Sequence, residues 1–230
     1  MSTRQDYLTA IGNLVGGQLP LGEAEQIFAI AAAAKKYSSH RPRVVVEDED
    51  GTGAFDYALT LLADWSEGFS AIQSVEYPVD DTDETAAILD AGDWTIYTKP
   101  AGKCLRLFND TPAATEDLRI TYTALHTCTD TACTIPAADE EAVQILAAAY
   151  FCDMLAAYYA QTQDSTIAAD AVDHKSKAGE YAARGRTYRK AFYDHLGIIE
   201  GQKTAASVTM DQDMTASWGG DHATHPRRYR

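Results

Sequence analysis

The residues that could most readily do chemistry lie in the segment HTCTDTAC, which brings His126, Cys128 and Cys133 close together in the chain. Thiolate and imidazole groups bind zinc, but a tetrahedral site needs four ligands, and no CxxC or HxxxH pair supplies the others. The chain has four cysteines, and their spacing is not that of a disulfide framework. We therefore interpret the segment as the end of a hairpin with incidental thiols, and we expect no metal site.

Two clusters of acidic residues, Glu47–Asp50 and Asp80–Glu84, are the next candidates for chemistry. Neither has the ligand spacing of a calcium loop, and adjacent carboxylates on a turn are usually solvated. Paired carboxylates that hydrolyse a glycosidic bond can come from distant positions, so the sequence leaves a second function open. That alternative is a carbohydrate-active or other hydrolase that uses carboxylates and exposed aromatic residues of the strand region, such as Glu47, Glu76, Trp65 and Trp94.

The motifs of several other enzyme classes do not occur in the sequence. There is no GxGxxG, no phosphate-binding loop ending in Lys and Ser or Thr, and no serine in a GxSxG motif. His126, His174 and His195 are isolated in the chain, and such histidines more often form hydrogen bonds than catalyse. We therefore predict that the protein is not an enzyme, has no catalytic residues and binds no cofactor.

The distribution of charge argues against a nucleic-acid-binding protein. Residues 1–134 carry 21 acidic and 9 basic side chains, a net charge of −12, whereas residues 135–199 carry −3 and residues 200–230 are neutral. Phosphate binding needs clustered Lys and Arg, so we expect no specific binding of nucleic acid.

No apolar run approaches the roughly 20 residues of a membrane span, and residues 1–6 do not resemble a secretion signal. We expect a protein that is made in the cytoplasm and has no membrane partner.

Two long helices joined by a short polar connection are predicted between residues 136 and 199, and the rest of the chain is arranged around them. The first begins near Asp139, which suits an N-cap, with Glu140 and Glu141 at the positive end of the helix dipole. Nearly every later position up to Gln161 is apolar or small. Such a helix is buried on most sides, by its own core or by another subunit. Its predicted packing residues are Tyr150, Met154 and Tyr158.

The second helix, predicted over Asp170–Leu196, has an apolar stripe at spacings of three and four residues. The stripe consists of Ala178, Tyr181, Ala182, Gly185, Tyr188, Phe192 and Leu196. Its small residues would let a neighbouring helix approach closely. We assign four members to helix or subunit packing, namely Ala178, Tyr181, Gly185 and Tyr188. Lys and Arg residues cover the opposite side, and Gly197 suits the end of the helix.

The region before these two helices begins with helical patterns and continues with strand patterns. Asp6–Val15 and Gly22–Lys36 have helical spacing, and a region of strands follows them. The predicted strands are Val44–Val46, Ser70–Tyr77, Asp93–Thr98, Cys104–Phe108 and Leu118–Leu125, of which the third and fourth form a hairpin. Glu47–Gly51 is predicted to be a charged turn, and Phe55–Leu62 fits a strand or a helix. We therefore predict a small, mostly antiparallel β module between helices.

The residues after Ile199 lack apolar periodicity and are rich in Gly, Ser, Thr and Asp, which is typical of an extended arm without a core of its own. Two features favour an arm that orders on a partner. Trp218 is a large apolar side chain without local cover, and the last residues form a basic and aromatic tip. The predicted partner-binding residues are Trp218, Arg227, Arg228, Tyr229 and Arg230.

Together these patterns predict an α+β fold. It consists of an α-helical bundle with a long C-terminal helical hairpin, an inserted small antiparallel β module and an extended C-terminal arm. The predicted divisions are residues 1–42 for the N-terminal helices of the bundle, 43–134 for the β-rich insertion, 135–199 for the hairpin and 200–230 for the arm. A chain of 230 residues is long enough for one domain with such an insertion.

Four segments carry a resemblance to known proteins: WSEGFSAIQSVEYP, ITYTALHTC, TIPAADEEAVQILAAAYFCDMLAAYYAQ and DHKSKAGEYAARGRTYRKAFYDHLGI. They resemble the head-to-tail adaptor, or connector, proteins of tailed bacteriophages. The resemblance covers residues 24–199, and it lies in patterns of small, aromatic and basic residues rather than in an invariant signature. It implies a helical bundle that carries a β module.

The resemblance further implies a structural protein of the virion neck that is assembled in the host cytoplasm. Its copies would form a homo-oligomeric ring, dodecameric in this family, and DNA would pass through the ring without specific binding. The C-terminal arm would dock on the portal protein, and the other end of the ring would receive a stopper or tail protein. Another neck or tail-completion component is a further alternative, which differs in its partner rather than in its chemistry.

Overall fold

The computed structural model describes residues 2–16, 20–80, 86–100, 102–161 and 174–199. The helices are α1 (Arg4–Val15), α2 (Glu23–Ser38), α3 (Glu140–Gln161) and α4 (His174–Leu196). The strands are β1 (Arg43–Asp50), β2 (Asp56–Ala58), β3 (Ile72–Glu76), β4 (Trp94–Lys99), β5 (Gly102–Leu107) and β6 (Asp117–Ala124). One turn of 3₁₀ helix follows β2 at Leu59–Leu61. The predicted mixed α+β class is confirmed.

The helices pack around α3, which contacts α1, α2 and α4. Apolar side chains of all four helices form one core, whose largest fully buried members are Tyr7, Ile11, Ile30, Tyr37, Leu146, Phe151 and Phe192. Buried alanines of α2 and α3 belong to the same core, and small side chains let helix axes approach closely. The connection between α3 and α4 and the predicted arm lie outside the described residues, so the hairpin and the arm stay predictions.

Local hydrogen bonds set the starts of α1 and α2. The Asp6 carboxylate accepts the backbone N–H and the hydroxyl of Thr3, at 2.7 and 3.0 Å. The Glu25 carboxylate accepts the backbone N–H of Gly22 at 2.9 Å. Each contact satisfies a donor at a helix N-terminus. As a result α1 starts two residues before its predicted position and α2 starts one residue after it.

The strand region contains two small antiparallel sheets, with strand orders β1-β6-β3 and β2-β5-β4. The two sheets share a second core, which includes Tyr57, Val75, Leu105, Leu107, Leu118, Ile120 and Tyr122. The predicted alternation in β6 is confirmed, because every second residue from Leu118 to Ala124 is buried. The predicted hairpin is also confirmed, since β4 pairs with β5 and Lys99 lies opposite Gly102.

The prediction of a charged turn at Glu47–Gly51 is wrong, because β1 extends through this segment and pairs with β6 along its whole length. The reason is tertiary. Arg119 of β6 binds the Asp48 carboxylate at 2.7 and 3.0 Å, and Tyr122 donates its hydroxyl to Glu47 at 2.8 Å. Cross-strand partners thus hold carboxylates that a local pattern assigns to a solvated turn.

The ambiguous segment Phe55–Leu62 contains two kinds of structure. It begins with β2, which pairs with β5, and continues as the 3₁₀ turn. Leu59 and Leu62 are buried in the second core, while Leu61 is exposed. Neither piece is long enough to show a periodicity, so the sequence could not separate the strand from the helix.

The interpretation of Cys128 and Cys133 as incidental thiols is wrong, because the two residues form a disulfide. They face one another in an isolated antiparallel bridge. The ring nitrogens of the neighbouring His126 lie 2.9 and 3.1 Å from the carbonyl oxygens of Thr134 and Arg41. Within the part of the chain that the structure describes, no three His, Cys, Asp or Glu side chains are grouped as a metal site would require.

The helix α3 departs from the expectation that no segment approaches the length of a membrane span. By length and composition alone α3 could cross a membrane. Half of its apolar stretch is buried inside the protein, where it packs against α1, α2 and α4. A core helix passes the same criteria of length and composition, so this property alone assigns no membrane.

Candidate functional site: the α3–α4 pair and the Asp139 cluster

The helices α3 and α4 approach one another closely at Gly185. A Cβ atom added at Gly185 would lie 2.9 Å from Asp153 Oδ1 and 3.2 Å from the carbonyl oxygen of Ala149. These distances are shorter than an ordinary van der Waals contact between heavy atoms. A side chain at position 185 therefore has no room unless α3 or its side chains move.

An ion pair holds the α3 side of this contact in place. Arg189 of α4 donates from Nη2 to both carboxylate oxygens of Asp153, at 2.6 and 2.7 Å. Both side chains are partly exposed, so the pair itself adds little to the stability. It does fix the Asp153 carboxylate next to Gly185, because the arginine comes from the next turn of the same helix as the glycine.

A different set of contacts fastens α4 to the end of α1. Arg184 Nη1 donates to the carbonyl oxygen of Val15 at 2.8 Å, and the Tyr188 hydroxyl donates to the carbonyl oxygen of Leu14 at 2.8 Å. The last carbonyls of a helix have no partner within that helix, so side-chain donors satisfy them. Arg184 is one of the Lys and Arg residues predicted on the side of the helix opposite the stripe, but it donates to this contact between helices.

Aromatic residues form a patch near the end of α3. Tyr159 stacks on Tyr181 with ring centres 5.6 Å apart, and Tyr158 meets Tyr159 edge-on at 5.5 Å. Lys177 and Arg184 bring cations within 5.5 and 5.7 Å of the rings of Tyr159 and Tyr181. Tyr158 is 38% exposed. This aromatic patch, made of Tyr158, Tyr159 and Tyr181, is therefore a surface that a partner could contact.

The predicted packing residues occupy three kinds of setting. Gly185 is buried against α3. Four residues are partly buried against the helical core, namely Tyr150, Met154, Tyr181 and Tyr188. Ala178 is also partly buried, and Tyr158 is exposed. The predicted arm residues lie outside the described residues; they are Trp218, Arg227, Arg228, Tyr229 and Arg230. Packing between subunits stays a prediction for the packing residues, and binding to a partner stays a prediction for the arm residues.

Asp139 is the centre of a cluster that the sequence did not reveal. The residue is 4% exposed, and its carboxylate accepts three hydrogen bonds. The Tyr37 hydroxyl donates at 2.6 Å, Arg41 Nη1 at 2.7 Å and His195 Nε2 at 3.0 Å. These donors come from the end of α2, from the link to β1 and from the end of α4. One carboxylate therefore joins the helices to the place where the chain enters the strand region.

The sequence contained one sign of the Asp139 cluster, which was the Asp at the predicted start of the first long helix. The helix does begin at the next residue. The donors to the Asp139 carboxylate, however, are 102, 98 and 56 positions away in the chain. A local pattern carries no information about contacts at that separation.

The protonation states of the cluster follow from its contacts. Burial by itself would raise the pKa of Asp139, but the hydrogen bonds from Tyr37, His195 and Arg41 outweigh burial and lower the pKa. Burial and the hydrogen bond to Asp139 raise the pKa of Tyr37 to about 12. Asp139 is therefore a carboxylate and Tyr37 a neutral phenol near neutral pH. Groups held so firmly in one state are poorly suited to general acid–base catalysis.

Two clefts lie in the strand region and at its border. One of about 510 Å³ opens beside Asp139, between the end of α2 and the start of β1. The other, of about 630 Å³, opens beside Trp65, between the 3₁₀ turn and the β4–β5 hairpin. An ion pair between Glu67 and Lys103 lies at the rim of this second cleft. A tryptophan and a carboxylate at one concave surface are the features that the hydrolase alternative would use.

Comparisons with known proteins add little to this geometry. No protein-family model matches the chain, and no curated protein matches it. Among solved structures, the chain is similar to a chain in the neck of the native GTA particle, computed with C12 symmetry. The two share 16% identical residues over 70% of this chain and 82% of that chain, with a TM-score of 0.27. A similarity at this level carries no argument about fold or function.

Proposed function

We propose that the protein is a structural component of a virion neck, a head-to-tail adaptor whose copies form a ring between the portal protein and the stopper or tail. The proposal starts from the resemblance of residues 24–199 to such adaptors. Residues 1–42 and 135–199 then form the helical bundle, residues 43–134 form the β insertion, and residues 200–230 form the arm. Assembly takes place in the host cytoplasm.

The charges of the strand region are the main support for this proposal. They are typical of a channel wall that DNA passes without binding, rather than of a DNA-binding surface. Residues 43–134 carry 18 acidic and 5 basic side chains, a net charge of −13. All five basic residues lie in the described part of the chain, and each forms an ion pair with a carboxylate. The pairs are Arg43–Asp64, Lys99–Asp56, Lys103–Glu67, Arg106–Asp56 and Arg119–Asp48. A surface without free cations offers phosphates no place to bind, so DNA can pass.

The aromatic patch supports contact between neighbouring copies. Its rings are only partly covered in the single chain, and aromatic side chains are enriched at the centres of protein interfaces. Tyr158 and Tyr159 belong to the last turns of α3, a helix that is apolar on most sides, and Tyr181 belongs to α4. A dodecamer is the ring size that the resemblance implies, and the patch itself carries no information on that number.

The arm is the part that docks on the portal in this proposal. Trp218 would be its apolar anchor, and Arg227, Arg228 and Arg230 would pair with acidic groups of the portal, with Tyr229 between them. Buried aromatic and Arg side chains often dominate interfaces, each costing about 2 kcal/mol or more when truncated. A partner that presents carboxylates therefore fits the basic tip.

Deletion of residues 217–230 tests the docking role. We expect the melting temperature to stay within about 1 °C of the full chain, because both cores of the described structure are built from residues before 200. Mass photometry with the portal protein should show a ring-sized complex for the full chain and none for the truncated chain, and particles that carry the deletion should lack tails. The variant Lys203→Ala, also in the arm, is the matched control and should behave as the full chain.

Two results would contradict the proposal at different levels. A truncated chain that joins portal and filled heads as well as the full chain would remove the docking role of the arm. A full chain that stays monomeric and does not bind the portal would remove the adaptor function itself.

We also propose that the protein has no catalytic function. The carboxylates of the hydrolase alternative are engaged in the structure. Glu47 accepts the Tyr122 hydroxyl at 2.8 Å and the backbone N–H of Ala63 at 3.2 Å, and Glu76 lies 3.7 Å from Arg119. A screen of glycosidic and ester substrates should show no turnover. Turnover by the full chain that Glu47→Ala or Glu76→Ala abolishes would establish the hydrolase instead.

A further inference from the structure

Among the described residues, the strand β1 is the open edge of its sheet. The order β1-β6-β3 leaves it with β6 as its neighbour on one side. The opposite edge of the same sheet is covered, because the backbone of β3 and Tyr77 bonds to residues 87–89. Native proteins usually shorten, charge or cover such edges, since unpaired N–H and C=O groups can pair with another strand.

Two hydrogen bonds identify the residues of β1 that face the open side. Gly51 N–H donates to the Glu116 carbonyl at 2.8 Å, so Gly51 directs its backbone groups toward β6. Thr123 N–H donates to the Ala71 carbonyl on the far side of β6 at 2.9 Å, so its opposite residue, Val44, is not bonded to β6. Hydrogen-bonded and non-bonded pairs alternate along an antiparallel ladder. The open side is therefore faced by Val44, Val46, Asp48 and Asp50.

The backbone N–H and C=O groups of these four outward residues form no hydrogen bond with the backbone of another described residue. The side chains of Val44 and Val46 are 54% and 57% exposed. The first half of β1 therefore presents free backbone groups and two β-branched side chains, with no charge between Arg43 and Glu47 to keep another strand away.

The sequence of β1 is complementary in charge to itself. Arg43 and Glu47 lie at equal distances before and after Val45, with valine at each position between them. When two such strands run antiparallel about Val45, Arg43 of each copy lies opposite Glu47 of the other. Val44 then lies opposite Val46, and both members of this pair are outward residues. The register therefore satisfies hydrogen bonding and charge at the same time.

We propose that β1 is a self-pairing surface whose occupant is β1 of a second copy of this chain. The two sheets then join into one continuous sheet across a two-fold axis at Val45. Registers that are shifted toward the acidic end bring the carboxylates of Glu47–Asp50 together across the axis, which like-charge repulsion disfavours. The charge pattern thus selects the register that is centred on Val45.

The pairing is isologous, so it closes after two copies and cannot by itself build a ring. It belongs to the protein free of its assembly partners, and it does not depend on the proposed neck function. A contact of two short strands is below the size of a standard interface. We therefore expect a weak dimer, with a dissociation constant in the micromolar range or above.

Sedimentation velocity of the full chain between about 1 µM and 1 mM tests the proposal. We expect a monomer–dimer equilibrium. Val46→Pro removes an outward N–H and leaves the ladder with β6 intact, since proline is tolerated at edge positions whose N–H faces solvent. This variant should stay monomeric with a melting curve close to wild type, whereas the matched variant Val46→Thr should dimerise as wild type does.

A charge exchange identifies the register. Arg43→Glu and Glu47→Arg should each raise the dissociation constant by about tenfold or more, because each places like charges opposite one another. An equimolar mixture of the two variants should dimerise about as well as wild type. Damage to the contacts of Arg43 with Asp64 or of Glu47 with Tyr122 would not be repaired by mixing. A chain that is monomeric at 1 mM, self-association that survives Val46→Pro, or a mixture without recovery would each overturn the proposal.

Discussion

Replacement of Gly185 by leucine is the sharpest test of the close approach between α3 and α4. The first added atom would lie 2.9 Å from the Asp153 carboxylate and 3.2 Å from the Ala149 carbonyl oxygen. The carbonyl belongs to the backbone of a helix and cannot turn aside. The carboxylate is the end of a flexible side chain, but Arg189 holds it at 2.6 and 2.7 Å. The leucine therefore forces the two helices apart or breaks the ion pair.

The expected cost follows from two opposing effects. Overpacking in a well-packed contact costs typically about 1–3 kcal/mol, and the contact with backbone places Gly185→Leu at about 3 kcal/mol. Leucine is a better helix former than glycine by about 0.8 kcal/mol, which offsets part of this cost. The net loss in the free energy of unfolding is about 2 kcal/mol. For a chain of this size, that loss lowers the melting temperature by roughly 4–8 °C.

Gly179, in the same helix, provides the matched control. A Cβ atom at Gly179 would meet nothing within 4 Å, so Gly179→Leu gains the helix propensity without a steric cost. Its melting temperature should rise by roughly 2–3 °C. Adding Asp153→Ala to Gly185→Leu should recover part of the loss, because one of the two obstructing groups is removed. Thermal unfolding followed by circular dichroism at 222 nm compares these three variants with wild type.

The outcome that refutes this reasoning is simple to recognise. If Gly185→Leu melts at or above wild type, the glycine does not lie at a close contact and the packing of α4 on α3 is wrong. If Gly179→Leu falls as far as Gly185→Leu, the loss reflects the helix as a whole rather than the contact with Asp153 and Ala149.

Three other changes test the contacts of the fold. Asp139→Asn should lower the free energy of unfolding by about 1–3 kcal/mol at pH 7. Because the pKa of Asp139 lies below its usual 3.8, the stability that its carboxylate contributes is complete above pH 3.8 and is lost as the pH falls through the lowered pKa. Urea titrations from pH 7 to pH 2 should therefore show the difference in stability between the variant and wild type becoming smaller in acid. Cys128→Ser should cost about 2 kcal/mol by opening a short loop, and a reducing agent should lower the melting temperature of wild type but not of the variant. Tyr188→Phe should cost about 1 kcal/mol in chemical unfolding, because the Leu14 carbonyl loses its donor; an unchanged midpoint would show that water replaces the hydroxyl.

The sequence by itself determined the elements whose residues repeat over a long distance. Helix α3 and the face of β6 that starts at Leu118 were both predicted, because apolar spacing over many residues leaves one arrangement that buries them. The β4–β5 hairpin was predicted for a similar reason, since a turn rich in Gly and Pro separates two β-prone runs. The stripe on α4 also placed Gly185 on the correct side, because spacings of three and four residues define one face of a helix.

Tertiary structure alone decided the features that depend on partners distant in the chain. Glu47–Asp50 is a strand because β6 supplies Arg119 and Tyr122 as partners, and nothing within the segment indicates them. Asp139 looks like a helix cap in the sequence, but its carboxylate binds donors that folding brings from more than 50 positions away. Local patterns record backbone preference and burial, whereas contacts between distant side chains exist only after the chain has folded. For that reason the sequence located the long helices, the β4–β5 hairpin and the buried face of β6, and the structure located the second half of β1 and the cluster around Asp139.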